Sequence, residues 1–148
     1  MKIQHFFDEQ TSTLSYVVHA GGAAVVIDPV RDYDPNSGRT AWTAAGQIAR
    51  YIDDQLLRVH YVIDTHAHAD HLTGLPFFKA RYGAKTVAGA RMGHIQAMFR
   101  DFYDLEADFP VDASQCDVLV DEGDRLPFAA LDAEALHTPG QTPTPPRR

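Results

Sequence analysis

Residues 59–74 read VHYVIDTHAHADHLTG, and the interpretation of the chain depends on them. The stretch begins with a short apolar run, residues 59–64, which has the length and composition of a buried strand. Four potential metal ligands follow within six residues: His66, His68, Asp70 and His71. Polar loops at the ends of buried strands are where α/β proteins build their sites, so this loop is the first candidate for function.

The spacing of these four side chains predicts metal binding. In an extended segment His66 and His68 point the same way and can reach one ion, while Asp70 and His71 lie after the bend and can face a second position. We also take Asp70 as the candidate catalytic residue. Imidazole with carboxylate suits zinc, iron(II) or manganese, and the absence of nearby cysteines argues against a structural zinc site. The alternative is a polar turn that contains histidines by chance.

Composition describes an ordinary globular chain. Its 148 residues are 45% hydrophobic and 22% charged, as expected of one domain with its own core. The beginning of the chain has no signal-peptide pattern and no run reaches the ~18 apolar residues of a membrane span, so the expectation is a cytoplasmic protein with no membrane partner. The net charge is −7 and the basic residues are scattered, which argues against a nucleic-acid partner. The single Cys116 is interpreted as a core thiol.

The pattern of apolar residues predicts a layered α/β fold. Three strands between Ile3 and Asp28 form an antiparallel meander with a turn at Gly21-Gly22, and residues 32–39 form a surface loop. The remaining predicted elements are helices over 40–57, 72–82 and 91–103 and strands over 59–64, 85–88, 118–120, 125–128 and 131–136. In the last helix, a stripe predicted to face the core consists of Ile95, Met98, Phe99 and Phe102.

The other histidines and acidic residues carry weaker signals. His137 is a less favoured candidate for a further metal ligand and is otherwise interpreted as a histidine at the end of a strand. Asp28 and Asp64 end strands beside the metal loop, and for each an orienting contact to a ligand histidine and a plain turn or cap role both stay open. Residues 121–124 are interpreted as a β-turn and not as a calcium loop. Four histidines are not site candidates: His5, His19, His60 and His94.

The segment 65–74 resembles the signature loop of metallo-β-lactamase-fold hydrolases, especially the branch of persulfide dioxygenases and glyoxalase II-like proteins. The ending Ala-Asp-His-Leu-Thr-Gly favours the persulfide dioxygenase side, because glyoxalase II usually has another histidine where this chain has Ala67. The likeness extends from about Lys2 to Thr142. Further matching segments are 27–30, 34–40, 83–86 and 108–127.

The resemblance implies the N-terminal portion of an αββα sandwich with a metal at the edge of its two sheets. Residues 1–142 would form this domain, incomplete at its C-terminal side, and residues 143–148 a Pro/Arg tail. In the family the next metal ligand is the histidine of a Thr-Pro-Gly-His-Thr segment, followed later by an aspartate. This chain has Gln141 at that histidine's position, and an amide oxygen is a poorer ligand than an imidazole nitrogen.

Three functions follow from the resemblance. The first is oxidation of glutathione persulfide to sulfite and glutathione, with one Fe(II) held by His66, a histidine at position 141 and a downstream aspartate. The second is hydrolysis of a glutathione thioester with one or two Zn(II) ions. The third is a shortened metal-binding or interaction protein with little or no activity. The expected partner is a small thiol-type substrate, and a homodimer is left open.

Overall fold

The computed structural model describes residues 1–68 and 70–138. Its first three strands, β1 (Lys2–Asp8), β2 (Thr13–Ala20) and β3 (Ala23–Ile27), form the predicted antiparallel meander. The turn between β2 and β3 is Gly21-Gly22, where φ is +54° and +81°. Two successive positive φ angles match the twist of a tight hairpin, and glycine adopts them without steric cost.

A short hairpin then precedes the first helix. It consists of β4 (Val30–Asp34) and β5 (Arg39–Ala41), so the segment 32–39, predicted as a surface loop, is at the surface but has strand residues at both ends. The turn between the strands has the predicted polar residues, and the carboxylate of Asp34 accepts hydrogen bonds from the Asn36 N–H and the Ser37 hydroxyl. Turn-forming residues indicated the bend but not the short ladder beside it.

Two predicted helices begin later than expected. Helix α1 is Thr43–Asp54, and Thr40 does not cap it because Thr40 pairs with Tyr33 in the hairpin. After β6 (Arg58–Asp64), Leu72 and Thr73 form the short strand β7 beside β4, so helix α2 (Leu75–Tyr82) starts only after Gly74. In both cases residues that helical spacing alone would assign to the helix form backbone pairs with β4 instead.

The second half of the described chain completes the layers. It contains β8 (Lys85–Gly89), α3 (Met92–Phe102), β9 (Val118–Val120), β10 (Arg125–Phe128) and β11 (Leu131–Glu134). A six-stranded sheet has the order β1-β2-β3-β6-β8-β9, in which β3, β6, β8 and β9 are parallel neighbours. The strands β10 and β11 pair as a separate hairpin.

Both faces of the six-stranded sheet carry apolar side chains. One face packs against α1 and α2 in a cluster that includes Val26, Val62, Ile48 and Phe78, and Cys116 packs against this cluster. The opposite face contacts the β10–β11 hairpin through Val25 and Phe128, among others. Helices on one face and strands on the other are the layering predicted for the first half of an αββα sandwich.

The apolar stripe of α3 was predicted to be core, and this prediction was wrong. No residue of α3 is buried, and the exposed fraction is 44% for Met98 and 77% for Phe102. Helical spacing shows which residues share a side of a helix, but not whether another element packs there. The helices that the structure describes do not have the combination of length and apolar composition that a membrane span needs.

Candidate metal centre

The candidate site lies where the parallel strands end. Because β3, β6, β8 and β9 run the same way, their carboxyl ends share one edge of the sheet. Ile27 lies opposite Ile63, and Gly89 lies opposite Val120. The segments that follow these residues therefore leave the sheet side by side, with Asp28 after β3 and the histidine loop after β6.

The loop brings its three histidines into contact. The ring centroids of His66 and His68 are 4.1 Å apart, and those of His68 and His71 are 4.2 Å apart. Two groups have potential ligand atoms that all lie within 4.8 Å of one another: Asp28, His66 and His68, and His68, Asp70 and His71. The two groups overlap at His68, whereas the spacing predicted separate positions for His66 with His68 and for Asp70 with His71.

Asp28 holds this loop with both carboxylate oxygens. Its Oδ1 accepts hydrogen bonds from the Thr65 N–H (2.7 Å) and from Nε2 of His68 (3.1 Å), and its Oδ2 accepts one from the Thr65 hydroxyl (2.7 Å). Asp28 is therefore better described as the acceptor that orients the histidines than as a ligand. Of the two roles left open for it, the structure supports the orienting contact.

The hydrogen bonds also determine which nitrogen of each ring can bind a metal. His68 gives its Nε2 proton to Asp28, so its Nδ1 lone pair is left for a ligand bond. The Thr65 hydroxyl has one proton, which it donates to Asp28, so at 2.9 Å it accepts the Nδ1 proton of His66. This leaves Nε2 of His66 as the nitrogen that could bind a metal. A single carboxylate thus sets both tautomers, directly for His68 and through Thr65 for His66.

A second set of contacts orients His71. Its Nδ1 lies 3.2 Å from Oδ2 of Asp70, and the Thr13 hydroxyl lies 3.2 Å from the same oxygen. Nε2 of His71 is buried and has no hydrogen-bond partner among the described residues. A buried imidazole nitrogen without a partner is costly unless it binds something, so this atom fits a metal ligand. Asp70, by contrast, has a half-exposed side chain.

Burial and mutual repulsion favour neutral imidazoles at two of the three positions. Burial lowers the pKa of both His66 and His71, and the neighbouring His68 lowers both further. Burial also acts to lower the pKa of His68, but the hydrogen bond and the charge of Asp28 outweigh it and raise that pKa. Neutral rings are the form that binds metals, so His66 and His71 are ready ligands near neutral pH.

The two strand-end aspartates have opposite environments. Burial acts to raise the pKa of Asp28, but its hydrogen bonds with His68 and Thr65 lower it below its ordinary value. Asp64 is buried, its Oδ1 has no hydrogen-bond partner among the described residues, and burial raises its pKa to about 6. Asp64 therefore does not make the histidine contact that Asp28 makes. The sequence could not separate them, because each follows an apolar strand.

The remaining candidate residues lie elsewhere or outside the described chain. Gln141, the position of the family's next histidine ligand, falls outside the described residues. His137 hydrogen-bonds to Arg91 and belongs to neither of the two groups of potential ligand atoms among the described residues. His19 is buried and bonds to Tyr51, in agreement with a structural role. Residues 121–124 form a turn stabilised by the Asp121 N–H and the Asp124 carboxylate, as predicted.

A cavity of about 420 Å³ adjoins the histidine loop. Its walls are largely apolar and include Ile27, Ile63 and Leu126, while Thr65 and His66 reach it from the loop. Arg91 was not a candidate in the sequence, because a lone arginine after a strand has no distinctive spacing. It lines the same cavity.

Comparisons with known proteins identify the family. The metallo-beta-lactamase superfamily matches residues 9–147. A probable metallo-hydrolase of Burkholderia pseudomallei (strain 1710b) is 39% identical over 97% of this chain and 49% of its own length. Glyoxylase B2 of Dictyostelium discoideum is 37% identical over 80% and 41% of the two chains. The mitochondrial persulfide dioxygenase ETHE1 of Homo sapiens is 25% identical over 95% and 44%.

A solved structure agrees with these matches. The crystal structure of ETHE1 from Myxococcus xanthus superposes with a TM-score of 0.64 at 25% identity, over 89% of this chain and 46% of that one. The chain belongs to the metallo-beta-lactamase superfamily, and the predicted fold class is confirmed. It spans about half or less of the length of these three curated relatives.

Proposed function

We propose that this chain supplies the histidine ligands of a divalent-metal centre that acts on a small thiol-type substrate. Oxidation of glutathione persulfide is the first candidate reaction. The observation that carries the proposal is the convergence of His66, His68 and His71, with their tautomers set by hydrogen bonds and one buried nitrogen left without a partner among the described residues. The relationship to a persulfide dioxygenase at 25% identity supports this choice of substrate.

Each residue of the candidate metal centre has a role in this proposal. Nε2 of His66 and Nδ1 of His68 would hold the first ion, while Asp28 and Thr65 keep both rings in the ligating tautomer. His71 and Asp70 would hold a second ion or line the site beside a single one, and Thr13 anchors Asp70. When bound, iron(II) supplies open positions for a thiolate and dioxygen, whereas zinc lowers the pKa of a bound water towards neutrality. The largely apolar walls of the adjacent cavity would contact the body of the substrate.

Hydrolysis of a glutathione thioester is the second candidate. The grouping of His68, Asp70 and His71 favours it, because this grouping offers a second metal position that a mononuclear dioxygenase does not use. The relative named glyoxylase B2, at 37% identity, also supports it. Ala67 argues against thioester hydrolysis, because the glyoxalase II loop usually has a histidine at this position.

Metal retention tests the proposal directly. The chain is purified with added iron(II) or zinc(II), desalted, and its metal measured by elemental analysis. We expect bound metal in the wild type, loss of it in His66→Ala and His68→Ala, and no change in His94→Ala, which alters an exposed histidine on α3. Gln141→His should raise retention. Less than about one-tenth of an equivalent in both the wild type and Gln141→His would contradict the proposal.

The two reactions are then separated on the metal-loaded protein. Sulfite formation from glutathione persulfide with consumption of dioxygen identifies the dioxygenase. Release of glutathione from a glutathione thioester without dioxygen identifies the hydrolase. A chain that retains metal and performs neither reaction would limit the proposal to metal binding.

A further inference from the structure

We propose that Arg91, held in place by His137, binds a carboxylate of the substrate in the cavity beside the metal centre. The ligand class is a peptide thiol, or its thioether or thioester, with a free carboxylate. This inference rests on the proposed function, because it adds a second contact for the same substrate. It concerns residues outside the histidine loop, and its binding test needs no metal.

The sheet places Arg91 beside the histidine loop. Strands β6 and β8 are parallel neighbours with Asp64 opposite Ala88, so the chain leaves both strands at the same edge. Parallel neighbours lie about 4.8 Å apart. Thr65 and His66 follow β6, Arg91 follows β8, and all three residues line the same cavity. A substrate whose sulfur is near His66 therefore has Arg91 within reach of its other end.

The guanidinium of Arg91 has donors to spare. Its Nη1 donates to Nε2 of His137 at 2.7 Å. No ion pair among the described residues includes Arg91, whereas Arg81, Arg100 and Arg125 each pair with a carboxylate. A guanidinium has five N–H donors, and its planar fork matches a carboxylate in two parallel hydrogen bonds. An arginine of this kind in a cavity is suited to an anionic group of a ligand.

The backbone on both sides of the pair is fixed. Before Arg91, the Ala90 N–H donates to the Val120 carbonyl at 2.8 Å, and the Arg91 carbonyl accepts the His94 N–H at 3.0 Å in the first turn of α3. The N–H of His137 donates to Oε2 of Glu122. Contacts among three separate segments of the chain therefore hold Arg91 and His137 in place. This reduces the conformational entropy that is lost when a ligand binds.

The cavity fits such a ligand in size and in charge. Its volume of about 420 Å³ lies in the ordinary range of small-molecule pockets. Asp121 and Glu122 line it as well as Arg91, so it presents both signs of charge. A group with a carboxylate and an ammonium, such as the γ-glutamyl end of glutathione, matches this arrangement better than a simple anion does.

The test compares two ligands that differ only in their carboxylates. S-methylglutathione has no free thiol, so its binding does not depend on a bound metal, and its dimethyl ester has neither carboxylate. Dissociation constants are measured by calorimetry or NMR titration on the metal-free full chain. We expect the wild type to prefer the free acid about tenfold, the size of one charge-assisted hydrogen-bonded contact. Arg91→Gln should remove this preference, and Arg91→Lys should keep part of it because the charge remains.

Three further variants separate recognition from structure. Arg100→Gln makes the same change on the outer part of α3 and should leave the preference intact. His137→Leu keeps Arg91 but removes the acceptor that orients it, so we expect a partial loss. Glu122→Gln keeps a hydrogen-bond acceptor for the His137 N–H but removes a negative charge that faces the ligand's ammonium, so both ligands should bind more weakly while the preference for the free acid stays.

The outcomes of this experiment are distinct from those of the metal test. An unchanged preference in Arg91→Gln, equal loss for the free acid and the ester, or no binding of S-methylglutathione by the wild type would each overturn the inference. A preference that depends on Arg91 in a chain that retains no metal would support the inference while the proposed metal centre fails.

Discussion

The substitution Asp28→Asn tests whether one carboxylate sets the tautomers of two ligand histidines. Asp28 accepts three hydrogen bonds, two at Oδ1 from the Thr65 N–H and His68, and one at Oδ2 from the Thr65 hydroxyl. An asparagine has one oxygen and one amide group. Its oxygen should take the Oδ1 position, where two N–H donors converge, and its amide should therefore face the Thr65 hydroxyl.

The substitution therefore reverses the direction of the two hydrogen bonds that connect residue 28 to the Thr65 hydroxyl and this hydroxyl to His66. When the amide donates to Thr65, the hydroxyl no longer has an acceptor there and turns its proton towards Nδ1 of His66, 2.9 Å away. His66 must then carry its own proton on Nε2, the atom left for the metal. The His68 contact is preserved in this arrangement. We therefore expect the His66 tautomer to change and the His68 tautomer to stay.

The expected loss of metal affinity is about tenfold to a hundredfold, the usual effect of removing an orienting partner of a ligand histidine. This corresponds to about 1.4 to 2.8 kcal/mol. Zinc affinity is measured by competition with a chelating dye, and the tautomers are assigned from the ring ¹⁵N shifts of the metal-free protein. Asp34→Asn is the control, because Asp34 also accepts hydrogen bonds from its neighbours but lies at the end of β4, before the turn to β5. Wild-type zinc affinity in Asp28→Asn, or an unchanged His66 tautomer, would refute the reasoning.

Two further predictions concern stability. The pKa of Asp117 is lowered to about 2 by its hydrogen bonds with Lys79 and Thr86, so its stabilising effect is present above the unfolded pKa near 3.8 and is lost as the pH falls to about 2. The difference in Tm between wild type and Asp117→Asn should shrink over that pH range, and a constant difference would exclude the charge as its cause. Gly74→Ala should destabilise by about 1 to 3 kcal/mol in chemical denaturation, because a Cβ there would lie 2.8 Å from the Pro29 carbonyl oxygen. Its control, Gly46→Ala in α1, meets nothing within 4 Å and should stabilise by about 0.5 to 1 kcal/mol, and equal losses in the two variants would rule out the clash.

The sequence predicted the parts of the fold that local pattern determines. Alternating apolar residues and the Gly21-Gly22 turn were enough for the β1–β3 meander, and the apolar run before the histidines was enough for β6. It failed where pairing between distant segments decided the outcome. Leu72 and Thr73 look helical by spacing, but they pair with Arg31 and Val30, about forty residues earlier, and this contact has no local signal.

The candidate site divides in the same way. The four side chains of the loop were evident from spacing, because they lie within six residues of one another. The contact between Asp28 and His68 spans forty residues and exists only because β3 and β6 are parallel neighbours whose ends coincide. The register of β6 against β8 likewise brings Arg91 to the cavity that His66 lines. Sequence therefore predicted the candidate ligands, and sheet topology was needed for the groups that orient them.

Backbone conformation adds a reason to assign the orienting role to Asp28. Its φ is +48°, a left-handed conformation in which a residue other than glycine is uncommon, and its N–H donates to the Ile63 carbonyl at 2.8 Å. Aspartate and asparagine tolerate this region better than other side chains that are not glycine, because their short polar groups bond locally. Asp28→Asn therefore changes the hydrogen-bond pattern with little added backbone strain. A loss of metal in that variant then reports on the carboxylate itself, since the turn that carries it keeps its shape.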